Sequence, residues 1–153
     1  MVPSCEEVGA LLPEPQLAYG LFVRLLGCVY CISFASLSLQ IVAMAGSEGI
    51  APAQKVVEQL ATDFPSALRR FWYFPSVFHA LRPTDRALRS ACAGGFCCGL
   101  AMAYGGSVGA AAAPLAWGVM VSLDLVADLN YPWDCLLLEA GFLALLLPRT
   151  APL

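Results

Sequence analysis

Charge is scarce in this chain. Of its 153 residues, eight are Lys or Arg and eleven are Asp or Glu, so only 12% are charged, about half the share of an ordinary soluble domain. Against that stands a hydrophobic fraction of 59% and a mean hydropathy of +0.74, too apolar for a water-facing surface on one compact unit. The net charge of −3 provides no basic field for nucleic acid. A single histidine, His79, excludes metal sites built on two or more His ligands. There is no Gly-x-Ser-x-Gly elbow, no P-loop and no Lys inside an apolar segment to act as a buried base, so catalysis, cofactor and metal are not expected. What remains is an integral membrane protein of the all-α class.

Residues 1–16 have no Lys or Arg and carry Glu6, Glu7, Glu14 and three prolines, the reverse of a signal or transit peptide. The expectation is an acidic tail over 1–16, a helical membrane domain over 17–147 whose first segment is a retained anchor, and a short tail over 148–153. Seven cysteines would suggest disulfides in a small secreted chain, but most lie within apolar segments. Cys28 and Cys31 have CxxC spacing without the helix-start or turn setting that activates a thiol. They read as small apolar fillers.

Four apolar segments are predicted to embed as helices. Leu17 to about Ala43 is longer than the ~20 residues a span needs. Its Gly20, Arg24, Gly27, Cys31, Ala35, Ser38 and Gln40 form a narrow small and polar face suited to close helix contact. Arg24 either snorkels to the near interface or pairs with a carboxylate on another helix. The turn Gly46–Pro52 closes this segment. Residues 52–64 place Val56, Val57, Leu60, Ala61 and Phe64 on one face, an amphipathic helix too short to span. Phe71-Trp72-Tyr73-Phe74, after Arg69-Arg70, suits the headgroup zone.

A second span is predicted from Ala87 to Tyr104, with Thr84 or Asp85 as N-cap and a strip of Ala91, Gly95, Gly99 and Ala103 for close packing. A third runs from Ala110 to Leu129 and sets Trp117, Val121, Asp124 and Asp128 on one side. Those aspartates could bind a cation, relay protons, meet Arg24, or stand solvated past the membrane edge. The last helix, Asp134 to Leu147, covers only ~21 Å of a ~30 Å core, which argues for neighbours. Asp134 is its expected N-cap, with Trp133 packed at the same end. Glu139 lies about 140° round the helix from Asp134 and needs a donor: Arg24, a backbone N–H or a partner. It reads as a structural polar anchor, with a proton or ion path as the alternative.

The string Trp133-Asp134-Cys135-Leu136-Leu137-Leu138-Glu139-Ala140-Gly141-Phe142-Leu143-Ala144 closely resembles a signature of the lipase maturation factor family. Leu21–Gly27, Gly46–Pro52 and Phe71–Phe78 look like the first membrane portion of the same family, so the resemblance covers most of residues 17–147. The family's later membrane helices and large C-terminal domain have no counterpart in these 153 residues.

The resemblance implies an endoplasmic-reticulum membrane protein of chaperone type, which helps secreted lipases fold and assemble. It also implies distant similarity to the membrane domains of vitamin-K-dependent carboxylases. The partners are then membrane lipid, client proteins or other membrane subunits. The alternative is a small accessory subunit of a larger complex, in an organellar membrane or elsewhere. Topology is open. Lys55, Arg69, Arg70, Arg82, Arg86 and Arg89 would put the loop between the first two spans in the cytoplasm, whereas the resemblance implies a cytoplasmic N-terminus.

Overall fold

The computed structural model describes residues 15–129 and 131–147, so the predicted tails lie outside the described residues, apart from the first two positions of the opening helix. Every described element is helical. Six α-helices follow in order: α1 (Pro15–Ala45), α2 (Ala53–Asp63), α3 (Ala67–Tyr73), α4 (Asp85–Tyr104), α5 (Gly106–Ala127) and α6 (Pro132–Leu146), with a 3-10 turn at Val77–His79 before α4. Two of them, α1 from Leu17 to Ala45 and α5, are long and apolar enough to cross a bilayer. At 1.5 Å per residue α4 matches the ~30 Å core in length, but its first turns hold Asp85, Arg86 and Arg89. The 15-residue α6 is short of that length, as predicted.

The bundle is organised around an antiparallel α1–α4 pair. A Cβ on Gly27 would stand 2.6 Å from the Ala103 amide nitrogen, and one on Gly99 2.8 Å from Cys31 Sγ. Glycine alone lets these backbones approach so closely, and the predicted Gly95–Gly99–Ala103 strip is the face that does it. Gly95 makes room for the Phe34 ring, which is fully buried. On α1 only part of the predicted face is used. Gly20 and Gly27 are buried and Cys31 half-buried, whereas Ala35, Ser38 and Gln40 are exposed, because Phe34, Leu37 and Ile41 take the core positions further along. All six described cysteines are free.

Sequence-coded devices fix the turns. The Thr84 hydroxyl caps α4 by accepting from the Ala87 amide at 3.2 Å, so Thr84 and not Asp85 is the N-cap. The Asp85 carboxylate instead accepts from the Ser47 amide at 2.8 Å and the Ser47 hydroxyl at 3.2 Å. This ties the end of α1 to the start of α4. The break left between the second and third predicted spans, residues 105–109, contracts to Gly105 alone, at φ 90°, and α5 begins four residues earlier than expected. A side chain at Gly105 would be strained and would meet the Arg24 guanidinium, 2.5 Å from Nε.

Between α1 and α4 the chain lies across one end of the bundle. In α2, Val56, Val57, Leu60 and Ala61 are half-buried, while Lys55, Glu58, Gln59 and Asp63 are exposed, as the periodicity predicts. Leu68, Phe71, Trp72 and Tyr73 of α3 are exposed together. His79 hydrogen-bonds the Phe74 carbonyl at 2.6 Å. The Val77 amide donates to Ser122 Oγ at 3.1 Å, and that hydroxyl donates to Gly118 O at 2.7 Å, which docks the 3-10 turn on α5.

Candidate functional site

Residues 131–144 form the joint between α1, α5 and α6. Pro132 starts α6 at its first position, where a missing N–H costs nothing. Leu137, Gly141 and Ala144 turn inward. Gly141 sits against Tyr30 Oη and Trp117, with a Cβ there only 2.9 Å from Trp117 Cδ1. Tyr30 is fully buried and donates to Leu137 O at 3.5 Å. Trp117 Nε1 donates to Leu138 O at 3.0 Å, and its ring lies 5.7 Å from that of Phe142. Tyr19 reaches Ala144 O at 3.5 Å. Three aromatic side chains thus hydrogen-bond carbonyls of α6, and Gly141 provides the space for two of them.

The predicted site residues divide into two ends and an outer face. Asp124 is half-buried on α5, and Asp128 closes that helix in the left-handed conformation, φ 50°. Asp124 is near enough to act electrostatically on Asp134, and Asp128 on Asp124. Three acids therefore share one end of the bundle. Among the described residues, no three His, Cys, Asp or Glu side chains gather as a metal ion needs. Arg24 is at the other end. Its guanidinium lies against Gly105, and Asp124 is eighteen residues along α5 from Gly106, roughly 27 Å at the helical rise. Among the described residues Arg24 forms no ion pair with a carboxylate, and its exposed position fits the snorkelling alternative.

Two details at the head of α6 differ from expectation. Tyr131 occupies the N-cap position and no side chain caps the helix. Pro132 moves the start forward, so Asp134 stands in the first turn, 8% exposed, and its carboxyl accepts no hydrogen bond from the described residues. Trp133 is not packed into the bundle but is 65% exposed, stacked on Tyr131 with centroids 5.0 Å apart and planes 5° from parallel. Glu139 is exposed on the outward face of α6 beside Leu136 and Leu143, which are exposed too. None of its expected donors within the described residues reaches it.

Sequence reasoning missed Tyr30, Tyr131 and the role of Trp117. An aromatic residue inside an apolar helix gives no sign that it will bond a carbonyl on another helix. Gly141 was visible as a mid-helix glycine, and its cost in helix propensity was the available signal.

Comparison with known proteins identifies the family. A family model described as "Lipase maturation factor transmembrane domain" matches residues 17–153. Lipase maturation factor 2 of Xenopus tropicalis is 34% identical over 144 residues, covering 87% of this chain and 19% of the relative. The Xenopus laevis protein of the same name shows the same identity and coverage. The chain spans about a fifth of the length of these curated relatives. No solved structure matches. With the family model covering nearly all described residues and the signature string forming the central joint of the bundle, the chain belongs to the lipase maturation factor family.

Proposed function

We propose that this chain is a non-catalytic membrane unit of a lipase folding and assembly factor, with α1, α4, α5 and α6 embedded in the endoplasmic-reticulum membrane and α2 and α3 lying on its surface. Residues 17–147 are the membrane domain, and 1–16 and 148–153 flank it. The family supports the maturation role, and the relatives' name supplies the client class, lipases. The family signature supports a structural reading, since its inward residues are spent on packing joints.

The observation that carries the proposal is Glu139. A carboxylate on an outward apolar helix face is costly in lipid and marks a functional contact. Here it has no partner among the described residues, on a helix too short to cross the bilayer by itself. The unit is completed by neighbouring membrane helices or by a client that presents a donor to Glu139. These same two facts also favour the second reading, a subunit of a larger complex.

Purification of the chain in mild detergent separates the two. Transient association with an immature secreted lipase supports the maturation factor. Stoichiometric co-migration with a multi-subunit complex, without any lipase, supports the subunit and contradicts the maturation role.

A further inference from the structure

Helix α3 is the least enclosed element of the fold. None of its seven residues is buried, and Leu68, Phe71, Trp72 and Tyr73 are exposed together, Trp72 at 82%. Phe64, just after α2, meets the Tyr73 ring at 6.1 Å and the Phe74 ring at 5.4 Å between centroids. A helix of about two turns has no stability of its own in water, and so many large apolar side chains side by side call for a cover.

Those side chains shape a groove. Phe64, Leu68, Arg69, Trp72 and Tyr73 line a space of about 800 Å³, large enough for part of an amphiphile. Arg69 is the one charged residue in that lining. Neither Arg69 nor Arg70 forms an ion pair among the described residues, and Arg70 Nε is buried without an acceptor there. Glu58 and Asp63, the nearest acids before them in the sequence, are exposed on α2. The Glu58 carboxylate accepts from the Gln54 amide at 2.9 Å instead. Six of the eight basic residues lie between the end of α1 and the first turns of α4, so this is the basic part of an acidic chain.

Position and chemistry together name the occupant. The long apolar α1 ends at Ala45 and α4 starts at Asp85, so the chain between them lies where the bilayer core gives way to headgroups. The Val77 amide, four residues past α3, is held by Ser122 near the end of α5, which keeps α3 at that level. Trp and Tyr favour the headgroup zone, and basic side chains there attract lipids of net negative charge. A guanidinium binds a phosphate through paired N–H donors. A phospholipid carries in one molecule a phosphate for Arg69 and an apolar chain for Leu68 and Trp72.

We propose that this groove binds one phospholipid of net negative charge, its phosphate on the Arg69 guanidinium and its upper acyl chain against Leu68, Trp72 and Tyr73. The inference rests on the reading that α3 lies on the membrane surface, and not on the lipase role. The competing occupant is an acidic face of a partner protein.

Two measurements on the full chain test it. In native mass spectrometry the chain, delipidated in mild detergent, is supplied with phosphatidylglycerol or phosphatidylcholine of identical acyl chains. The expected result is retention of one phosphatidylglycerol in preference to phosphatidylcholine. Arg69→Gln is expected to lower that preference about fivefold at an unchanged melting temperature, since Arg69 is exposed and unpaired. Arg89→Gln, at an exposed arginine outside the groove, is expected to leave it unaltered. Equal retention of the two lipids overturns the proposal. So does an equal loss in both arginine variants, the mark of diffuse attraction, or a stoichiometric protein that is released by Arg69→Gln. In vesicles, the fluorescence lost in Trp72→Phe reports on Trp72. It is expected to be quenched more by phosphatidylglycerol brominated high on its acyl chains than by equally brominated phosphatidylcholine, with no difference in Arg69→Gln. Equal quenching by both lipids keeps α3 on the membrane and overturns the lipid site alone. Absence of quenching takes α3 off the membrane and overturns both.

Discussion

Gly141 and Tyr30 share one volume: the phenol oxygen of Tyr30 occupies the place where a side chain at position 141 would begin. This relationship explains a glycine in the middle of an apolar helix, and it binds the end of the family signature to the first helix of the chain.

Gly141→Ala therefore overpacks a site with no exposed side to relax into, and is expected to destabilise the chain by about 1–3 kcal/mol. Tyr30→Phe removes the obstructing oxygen along with a long hydrogen bond to Leu137 O and should cost under about 1 kcal/mol. In the double variant the loss should be less than the sum of the two. Thermal unfolding of the four proteins in one detergent measures the coupling, and strict additivity would contradict the shared volume.

The α1–α4 contact predicts a stricter effect at Gly27. Its Cβ would press on the Ala103 amide and Met102, which are backbone and buried core. Gly27→Ala should destabilise by roughly 1–3 kcal/mol. Gly94→Ala on α4 meets nothing within 4 Å and should be neutral or slightly stabilising, by up to about 1 kcal/mol through helix propensity. Equal melting temperatures for the two variants would refute the packing.

Asp85 is predicted to act as a latch between turns. Asp85→Ala removes both acceptors of Ser47, a loss of about 1 kcal/mol, while Thr84 keeps the helix cap. Hydrogen exchange at the Ser47 amide should quicken about fivefold to tenfold with the interior of α4 unaffected. Unchanged exchange at Ser47 would show that the latch is not made.

Glu139 should behave in the opposite way to a core acid. With no partner within the described residues, Glu139→Leu is expected to change the stability of the purified chain by no more than about 0.5 kcal/mol, yet to abolish association with the neighbour. Glu139→Gln retains hydrogen bonding and should retain association. If Glu139→Leu alone destabilises the purified chain by several kcal/mol, the carboxylate is held within the chain and the outward reading fails.

Composition made the membrane class legible, and hydropathy with turn residues located α1, α2, α4, α5 and α6 within a few residues. The short α3 was legible only as an aromatic run at an interface, because seven residues give too little periodicity to mark a helix. Errors arose where local rules met a competing constraint. Pro132 claimed the first helical position, which displaced Asp134 from the cap into the first turn. The φ of 90° at Gly105 let a single residue make the break between the second and third predicted spans. For Arg24 the sequence left snorkelling and pairing with a carboxylate both open, because a sequence does not say which end of an antiparallel bundle a residue reaches. Gly105 took that guanidinium at the far end. The signature string was readable as a family mark, but its joint with Tyr30 and Trp117 depends on contacts more than twenty positions away in the chain, which periodicity does not encode.

Whether this membrane unit serves lipase maturation is decided by pulse-chase capture of a newly made secreted lipase by the tagged chain in endoplasmic-reticulum membranes. The expected result is that immature lipase is captured within the pulse and released as it becomes active, and that Glu139→Leu loses the capture while Glu139→Gln keeps it. A chain that never holds immature lipase and remains locked in a fixed-stoichiometry complex throughout the chase would contradict the maturation role.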